Sequence, residues 1–495
     1  MPLDPRTPVI VGVGQTLRRL DTAAEATEPV DMMVDALRVA ADDAGVGAAL
    51  LERADSVRVI EVLSWRYANP GLLVAERVGA SPRQLVKSTT GGNSPQMVLN
   101  DAAAAIQQGD LDVVLIAGAE AMRTRFLARK TKEWLEWTAQ PAETPAPVVL
   151  GNDGAGTNDV EMARAMALPT QVYPIFENAL RVAAGESVDE HQEKVARLWA
   201  AFSEVGARNP HAWTPTARSA EEIRTVTADN RMIGFPYPKY MNSNLQTDQA
   251  AAVVLCSVEA ARALGIPEER WVFPWAGADA HDHWWVSERA DLHSSPAIGA
   301  SGRTVFEMAG RDVDDVAHVD VYSCFPSAVQ IGAAELGLSL DRQLTVTGGL
   351  CFAGGPGNNY VTHSIASMAD TLRADPGSLG LVTALGWYVT KHSIGLYSTE
   401  PPAGPYRRAS PQAEVDALPR RGYTGDYDGP VTVESFTVMH ERDGSPSLGI
   451  VACLLPDGQR AWGNVREEGA LKSLLADDPI GAKGQLRKDG TLELS

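Results

Sequence analysis

The sequence predicts an α/β fold with two similar halves, an inserted domain between them and a small all-β domain after them. A glycine-rich turn, a helix, a break and an apolar strand follow one another at residues 91–117 and again at 354–385. Residues 123–241 separate the two units and carry many prolines and aromatic residues but little strand signal. Beyond residue 412, five short β-rich segments are separated by turn signals such as Asp-Gly.

The first half begins with an apolar run that ends in glycines, which predicts a strand over residues 9–14. A five-residue apolar run at 113–117 is typical of a central strand covered on both faces. The remaining elements predicted in this half are helices at 32–44, 72–78 and 96–107 and strands at 57–63 and 84–88.

The second half is organised around residues 347–360, which contain five glycines and Pro356 within fourteen residues. Such a stretch cannot form the interior of a helix or a strand. A helix over 361–372 and a buried strand over 379–385 follow it. A glycine-rich turn at a helix start can present backbone N–H groups to an anion or an oxyanion. A capping turn without a ligand explains the pattern equally well.

Between the halves, the inserted segment is interpreted as an excursion that builds a binding surface, or as a structural insertion without a ligand. After the halves, prolines mark a connector before strands that predict a small OB-like β-barrel. The predicted domains are an N-terminal half (residues 1–122 and 246–260), a loop domain (123–245), a C-terminal half (261–400), a linker (401–412) and the β-barrel (413–495).

Composition narrows the class of function. Asp and Glu number 63 against 43 Lys and Arg, and the net charge of −20 argues against binding to nucleic acid or to an anionic membrane surface. Cys256, Cys324, Cys351 and Cys453 lie far apart, which is typical of free thiols rather than of a disulfide framework or a metal site. Because the chain shows neither a signal peptide nor an apolar run that could span a membrane, we expect a cytoplasmic protein.

Five ordered blocks carry a family resemblance, which runs from about residue 8 to residue 398. The sequence resembles the thiolase superfamily, nearest to the sterol-carrier-protein-type thiolases, and the added β domain resembles that of thiolase-like proteins type 1. The resemblance implies a duplicated core of αβαβα layers. The blocks lie at residues 110–122, 207–212, 242–252, 321–325 and 348–356.

The departures from the family pattern concern the residues that do the chemistry. Gly92 stands at the position of the nucleophilic cysteine, and Gly355 at that of the histidine that activates it. The second cysteine falls at residues 384–386, which read Ala-Leu-Gly, and Tyr322 replaces an oxyanion-site Asn or His. Glycine can neither carry an acyl group nor move a proton, so ordinary thiolase activity is not expected.

The resemblance still implies coenzyme A or acyl-CoA as the ligand, with no metal. In the family, the loop domain and the block at 242–252 hold coenzyme A across a surface cleft. The candidate ligand-binding residues are Tyr240, Asn244, Phe325, Arg231 and Lys239, and the candidate oxyanion turn is Gly354, Gly355 and Asn358.

Three hypotheses therefore stay open. The chain is a non-thiolase member of the superfamily that binds coenzyme A or acyl-CoA, an acetyl-CoA-acetyltransferase-like enzyme with relocated residues, or an interaction scaffold that acts through its C-terminal barrel. Relocated catalysis would fall to Cys324, Cys351 or Tyr322, since these lie in the blocks around the family's pocket. Thiolase homologues pair through the core sheet, so we expect a homodimer, or a monomer if the added domain blocks that surface.

Overall fold

The computed structural model describes residues 3–494, so the outermost ends of the predicted domains, at residues 1–2 and 495, lie outside the described residues. The chain forms three β-sheets with helices packed around them. The strands are β1 (Pro8–Leu17), β2 (Ser56–Val59), β3 (Gln84–Ser88), β4 (Val113–Ala121), β5 (Val148–Leu150), β6 (Met232–Gly234), β7 (Tyr237–Pro238), β8 (Asp248–Ser257), β9 (Phe273–His281), β10 (Val316–Asp320), β11 (Leu379–Gly386), β12 (Lys391–Ser398), β13 (Arg407–Ala409), β14 (Gly429–His440), β15 (Pro446–Leu454), β16 (Arg460–Val465), β17 (Lys483–Leu486) and β18 (Leu492–Leu494).

The α-helices start after breaks that the sequence makes visible, and many begin with a proline in the first turn. They are α1 (Pro29–Asp43), α2 (Ala48–Glu52), α3 (Pro70–Val78), α4 (Ser94–Gln108), α5 (Met122–Thr131), α6 (Asp159–Met162), α7 (Pro169–Ala183), α8 (Val188–Arg208), α9 (Ala220–Arg224), α10 (Val258–Ala263), α11 (Pro296–Ala309), α12 (Pro326–Leu336), α13 (Gly349–Phe352), α14 (Tyr360–Ala374), α15 (Gln412–Asp416) and α16 (Glu468–Ala476).

The predicted duplication is visible in how the strands pair. In the first sheet β2 and β4 are parallel, and β4–β8 and β8–β1 are antiparallel. In the second sheet β10 and β11 are parallel, and β11–β12 and β12–β9 are antiparallel. Each half therefore repeats one parallel and two antiparallel pairings, with α4 leading into β4 and α14 into β11.

The two sheets lie on either side of a central helical layer. Helices α4 and α14 contact each other and both sheets, whereas α1 covers the first sheet and α11 the second from outside. Every residue of β4, β8, β11 and β12 is buried, as expected for strands covered on both faces. One continuous hydrophobic cluster spans both halves.

The edges of the two core sheets are extended by short strands. β5 pairs with β3 and so covers the edge of the first sheet. β13 pairs with β9 and extends the second sheet. The segment predicted as a linker, 401–412, is therefore partly built into the core. A strand of three residues that carries arginines and is flanked by prolines gives no periodic signal, so the sequence predicts a connector there.

The third sheet follows the order β16-β15-β14-β17-β18, and the segment before β18 bridges back to β16 at Asn464 and Thr491. The five strands predicted here correspond to β14–β18, while α16 was not predicted. Closure of this sheet as an OB-type barrel stays a prediction. Strand β6 of the inserted region also pairs with β14, at Gly234 and Met439.

A buried arginine joins the third sheet to the second half. The Arg460 guanidinium pairs with Glu434 at 2.6 Å and donates to the backbone carbonyls of Val286, Ser287 and Arg289 at 2.7–3.1 Å. Ser435 Oγ donates to the carbonyl of Ile175 in α7, 2.6 Å away. The buried guanidinium thus has both a carboxylate partner and carbonyl acceptors, and these bonds hold the C-terminal sheet against the second half.

Candidate functional site

The two glycine-rich turns, one in each half, are in direct contact. Asn358 Oδ1 accepts a hydrogen bond from the Gly91 N–H at 2.9 Å, and Asn358 Nδ2 donates to the Glu61 carbonyl at 2.9 Å. Gly91 has a φ of +149°, which a side chain would strain. The Asn358 amide therefore joins the second turn to the first turn through Gly91, and to the segment after β2 through Glu61.

Gly92, the position that the resemblance assigns to the nucleophile, lies against Tyr322. A Cβ at Gly92 would lie 2.1 Å from the Tyr322 hydroxyl oxygen and 2.5 Å from the Leu385 carbonyl oxygen. The Tyr322 ring is buried and packs edge-on against Tyr360, with ring centroids 5.6 Å apart. The space in front of Gly92 is thus filled by a tyrosine, and no side chain fits there without displacement.

The other positions of the expected catalytic set differ in how much space a side chain would find. The Gly355 N–H donates to the Asn244 carbonyl at 2.9 Å, and a Cβ at Gly355 would have its nearest contact at 3.3 Å. Gly354 has a φ of +109° and passes so close to Gln249 that a Cβ would lie 2.1 Å from its Oε1. Beside residues 384–386, Ala384 and Tyr322 line a cavity of about 10 Å³. A cavity of this size holds at most one water molecule.

Phe325 lies inside an aromatic stack rather than along an open cleft. Its ring is parallel to Tyr173, with centroids 4.5 Å apart, and to Tyr237, with centroids 5.7 Å apart. The Tyr173 hydroxyl donates to the Trp387 carbonyl at 2.7 Å. The sequence does not predict Tyr173 or Tyr237 as site residues, because nothing in the inserted segment indicates that they pack on Phe325 of the second half.

Cys324 and Cys351 are both buried, and burial raises the pKa of each thiol to about 12. Cys351 Sγ donates to the carbonyl of Tyr240 at 2.9 Å. A thiol with so high a pKa holds almost no thiolate at neutral pH, which makes it a poor nucleophile. The imidazole of His363 is hydrogen-bonded to Gln15, and burial lowers its pKa to about 3.

A partly exposed face of the inserted region gathers several of the predicted ligand-binding residues. The Arg218 guanidinium carbon lies 4.0 Å from the Tyr240 ring centroid, and Lys239 Nζ lies 5.9 Å from the same centroid. The Lys239 N–H donates to the Arg231 carbonyl at 2.9 Å. We call Arg218, Arg231, Lys239, Tyr240 and Asn244 the loop face.

The loop face is tied to the glycine-rich turn of the second half. The Asn244 N–H donates to the Leu350 carbonyl at 3.1 Å, next to Cys351. The Asn244 side-chain oxygen accepts from the Gln246 N–H at 3.1 Å. Arg218 was not predicted for this site, since an isolated arginine in an irregular segment gives no signal in the sequence.

A buried carboxylate shapes the same turn. Asp320, at the end of β10, accepts hydrogen bonds from the hydroxyl groups of Thr345, Thr347, Tyr360 and Ser364. It also accepts from the Val346 and Thr347 N–H groups, at 2.9 and 3.2 Å. Burial raises the pKa of Asp320, and these donors oppose that shift. The carboxylate therefore acts as the structural anchor of the segment that precedes Gly348.

Metal-binding groups of side chains and membrane-spanning helices are both absent from residues 3–494. No group of three or more His, Cys, Asp or Glu side chains there is arranged to hold a metal ion. In the same residues, no helix combines the length and the apolar character that crossing a bilayer requires.

Known proteins share this architecture. A family model described as the thiolase-like protein type 1 additional C-terminal domain matches residues 411–491. The solved structure of a monomeric SCP2-thiolase-like protein type 1 from Mycobacterium smegmatis is 35% identical, with 100% of both chains covered and a TM-score of 0.84. This chain belongs to the SCP2-thiolase-like proteins of type 1, in the thiolase superfamily.

More distant structures share the fold of this SCP2-thiolase-like protein. An aldolase described as Ltp2-ChsH2(DUF35) has 19% identity and a TM-score of 0.59, covering 80% of this chain and 99% of its own. The acetyl-CoA acetyltransferase from Syntrophomonas wolfei has 16% identity and a TM-score of 0.57, covering 80% of this chain and 99% of its own. No curated protein matches the chain.

Proposed function

We propose that this SCP2-thiolase-like protein binds coenzyme A or an acyl-CoA and does not catalyse thiolysis or Claisen condensation. One observation carries the proposal: the Tyr322 hydroxyl lies 2.1 Å from the point where a side chain at Gly92 would begin. A nucleophilic side chain at position 92 would need that space. The chain therefore lacks the thiol and also fills the place of the thiol with the Tyr322 side chain.

The loop face supports the binding half of the proposal. Arg218 and Lys239 lie over the Tyr240 ring, and the Arg231 backbone is hydrogen-bonded to Lys239. In a protein whose net charge is −20, these neighbouring cations stand out against the overall charge. Guanidinium and ammonium groups suit phosphate oxygens, and Tyr240 offers an aromatic face. Because Phe325 is enclosed in the aromatic stack, we assign ligand contact to the loop face and not to Phe325.

The two other hypotheses have less support. An acyltransferase that used Cys324 or Cys351 would need a thiolate, yet burial raises the pKa of both thiols to about 12. A scaffold acting through the C-terminal domain would have to use surfaces other than the one that Arg460 fastens to the second half.

Calorimetric titration of the full chain with coenzyme A and acetyl-CoA tests the binding half. We expect saturable binding, weakened at least about 30-fold when Arg218 and Lys239 are both changed to Ala, since each charged contact to phosphate contributes about 1 kcal/mol or more. A control away from the loop face is Arg38→Ala, which removes one exposed cation of α1. Absence of binding by the unaltered protein, or equal affinity in all three proteins, would contradict the proposal.

Thiolysis of acetoacetyl-CoA tests the other half. We expect no turnover above the uncatalysed rate, together with an unchanged intact mass after incubation with acetyl-CoA. A stable acyl adduct on Cys324 or Cys351, or turnover that is lost in a variant with both cysteines changed to Ala, would favour the relocated acyltransferase instead.

A further inference from the structure

Helix α5 and the residues that follow it differ in charge from the rest of the protein. The segment 122–137 contains five basic and two acidic residues, whereas the whole chain has a net charge of −20. The acidic residues are Glu133 and Glu136, and the basic ones are Arg123, Arg125, Arg129, Lys130 and Lys132. A strongly acidic protein therefore carries a local basic surface at this position, separate from the loop face.

Large apolar side chains lie exposed among these cations. The exposed fraction is 87% for Trp134, 45% for Phe126 and 44% for Leu63. Arg125, Arg129, Lys132 and Trp134 line one shallow depression of about 250 Å³, and Arg125 also donates to the Leu63 carbonyl. We call Leu63, Arg125, Phe126, Arg129, Lys130, Lys132 and Trp134 the α5 face.

The exposure of Trp134 is enforced by well-anchored neighbours. Trp65 packs edge-on against Trp137, with ring centroids 5.1 Å apart, and its Nε1 donates to the Thr138 carbonyl at 2.9 Å. At the start of α5, the Thr124 hydroxyl donates to the buried Asp248 carboxylate at 2.7 Å. The segment is held at both ends, so the indole of Trp134 is presented outward by a fixed backbone.

The cations of this face are available for a partner. Within residues 3–494, Arg129, Lys130 and Lys132 have no ion-pair partner, and all three side chains are exposed. Arg129 and Lys130 lie in the last turn of α5, near the negative end of the helix dipole. The dipole offsets part of the charge of Arg129 and Lys130, and the rest is available to an anionic partner.

We propose that the α5 face docks the protein on a membrane surface that contains anionic phospholipids. Exposed Lys and Arg residues are attracted to such a surface, and an indole is favoured at the boundary between headgroups and acyl chains. The overall negative charge does not prevent this, because charges beyond about 8 Å are screened at physiological salt. The anionic membrane repels the acidic surfaces of the protein, and this repulsion favours docking through the α5 face.

The shape of the face favours a bilayer over an acidic protein partner. A depression of about 250 Å³ is too shallow to receive a helix or an extended peptide. Trp134 and Phe126 are exposed beside Lys and Arg side chains, and this is the composition of helices that lie in a membrane interface.

Vesicle flotation with the full chain tests the proposal, using phosphatidylcholine vesicles with and without about 30% phosphatidylserine in about 0.15 M salt. We expect binding only to the vesicles with phosphatidylserine. Neutralising Lys130 and Lys132 with glutamine should weaken partitioning about 25-fold, because each charge contributes about fivefold. Trp134→Ala should weaken it about tenfold through lost apolar burial.

A matched control changes Arg442 and Arg466, two exposed arginines of the C-terminal region, to glutamine, so that the net charge changes equally. The control should bind vesicles as the unaltered protein does. Equal loss in both double variants, binding that ignores phosphatidylserine, or binding to polyglutamate without binding to vesicles would overturn the proposal. Circular dichroism melting checks that each surface variant remains folded.

Discussion

Changing Gly92 to alanine tests whether the space at this position is closed. The new Cβ would lie 2.1 Å from the Tyr322 hydroxyl oxygen and 2.5 Å from the Leu385 carbonyl oxygen. Overpacking a core costs about 1–3 kcal/mol. The tyrosine ring is confined by Tyr360, and the carbonyl belongs to a buried strand, so neither contact can relax cheaply. We therefore expect Gly92→Ala to lower the free energy of unfolding by about 3 kcal/mol.

Gly355→Ala is the matched control, because it adds the same methyl group at the other glycine of the expected catalytic pair. Its Cβ would meet nothing closer than 3.3 Å, so we expect a change within about 1 kcal/mol. Urea unfolding, followed by tryptophan fluorescence and far-ultraviolet circular dichroism, measures both variants. Agreement between the two signals checks that the transition is cooperative.

A double-mutant cycle identifies the cause of the loss. Tyr322→Phe removes the hydroxyl oxygen but leaves the ring carbon at 2.7 Å and the Leu385 carbonyl at 2.5 Å. It should therefore recover only about 1 kcal/mol in the Gly92→Ala background. If Gly92→Ala is as harmless as Gly355→Ala, or if the two changes are strictly additive, the space in front of Gly92 is open and a catalytic role for this region becomes tenable.

Three further predictions concern buried ionisable groups. Burial raises the pKa of Cys324 and Cys351 to about 12, so both thiols hold very little reactive thiolate. Iodoacetamide at pH 8 should therefore alkylate them at least about 100-fold more slowly in the folded protein than in the urea-unfolded protein. Fast labelling of the folded protein, followed by mass spectrometry, would contradict this. Burial raises the pKa of Glu120 from 4.5 to about 7, so the folded state binds the proton more tightly, and stability should fall by about 3 kcal/mol as the pH rises from 4.5 to 7. Glu120→Gln should flatten this decline in urea titrations at several pH values, and an unchanged slope would refute the assignment. Arg460→Met should cost about 3 kcal/mol by leaving Glu434 and three carbonyls unpaired, and an unchanged urea midpoint would show that the contact adds nothing.

Elements bounded by glycine or proline and filled by periodic apolar residues were predicted close to where they occur. The strand predicted at 84–88 matches β3, and the helix predicted at 361–372 lies inside α14. β12 was missed, because Lys391 and His392 made it look polar. Both side chains are buried: Lys391 Nζ donates to the Thr90 and Asn152 carbonyls, and His392 pairs with Asp282. Their partners lie far away in the chain, so no local pattern could reveal them.

Part of the candidate site could likewise be predicted from neighbouring residues, and part depends on contacts between distant segments. That Tyr240, Lys239 and Asn244 share one face could be anticipated, because they are near neighbours in the chain. That Arg218 stacks on Tyr240, and that Phe325 is enclosed by Tyr173 and Tyr237, depends on contacts between separate segments.

The amino-acid sequence by itself determined the α/β class, the two matching halves and the glycine at position 92, because composition and periodicity are properties of neighbouring residues. Only the tertiary structure decided what occupies the space beside that glycine. Residues 92 and 322 are 230 positions apart, and their contact exists because two sheets pack on a shared layer of helices. Protein interiors are packed about as densely as organic crystals and contain few voids. The space beside a buried glycine is therefore either filled by a neighbouring side chain or kept open for a ligand.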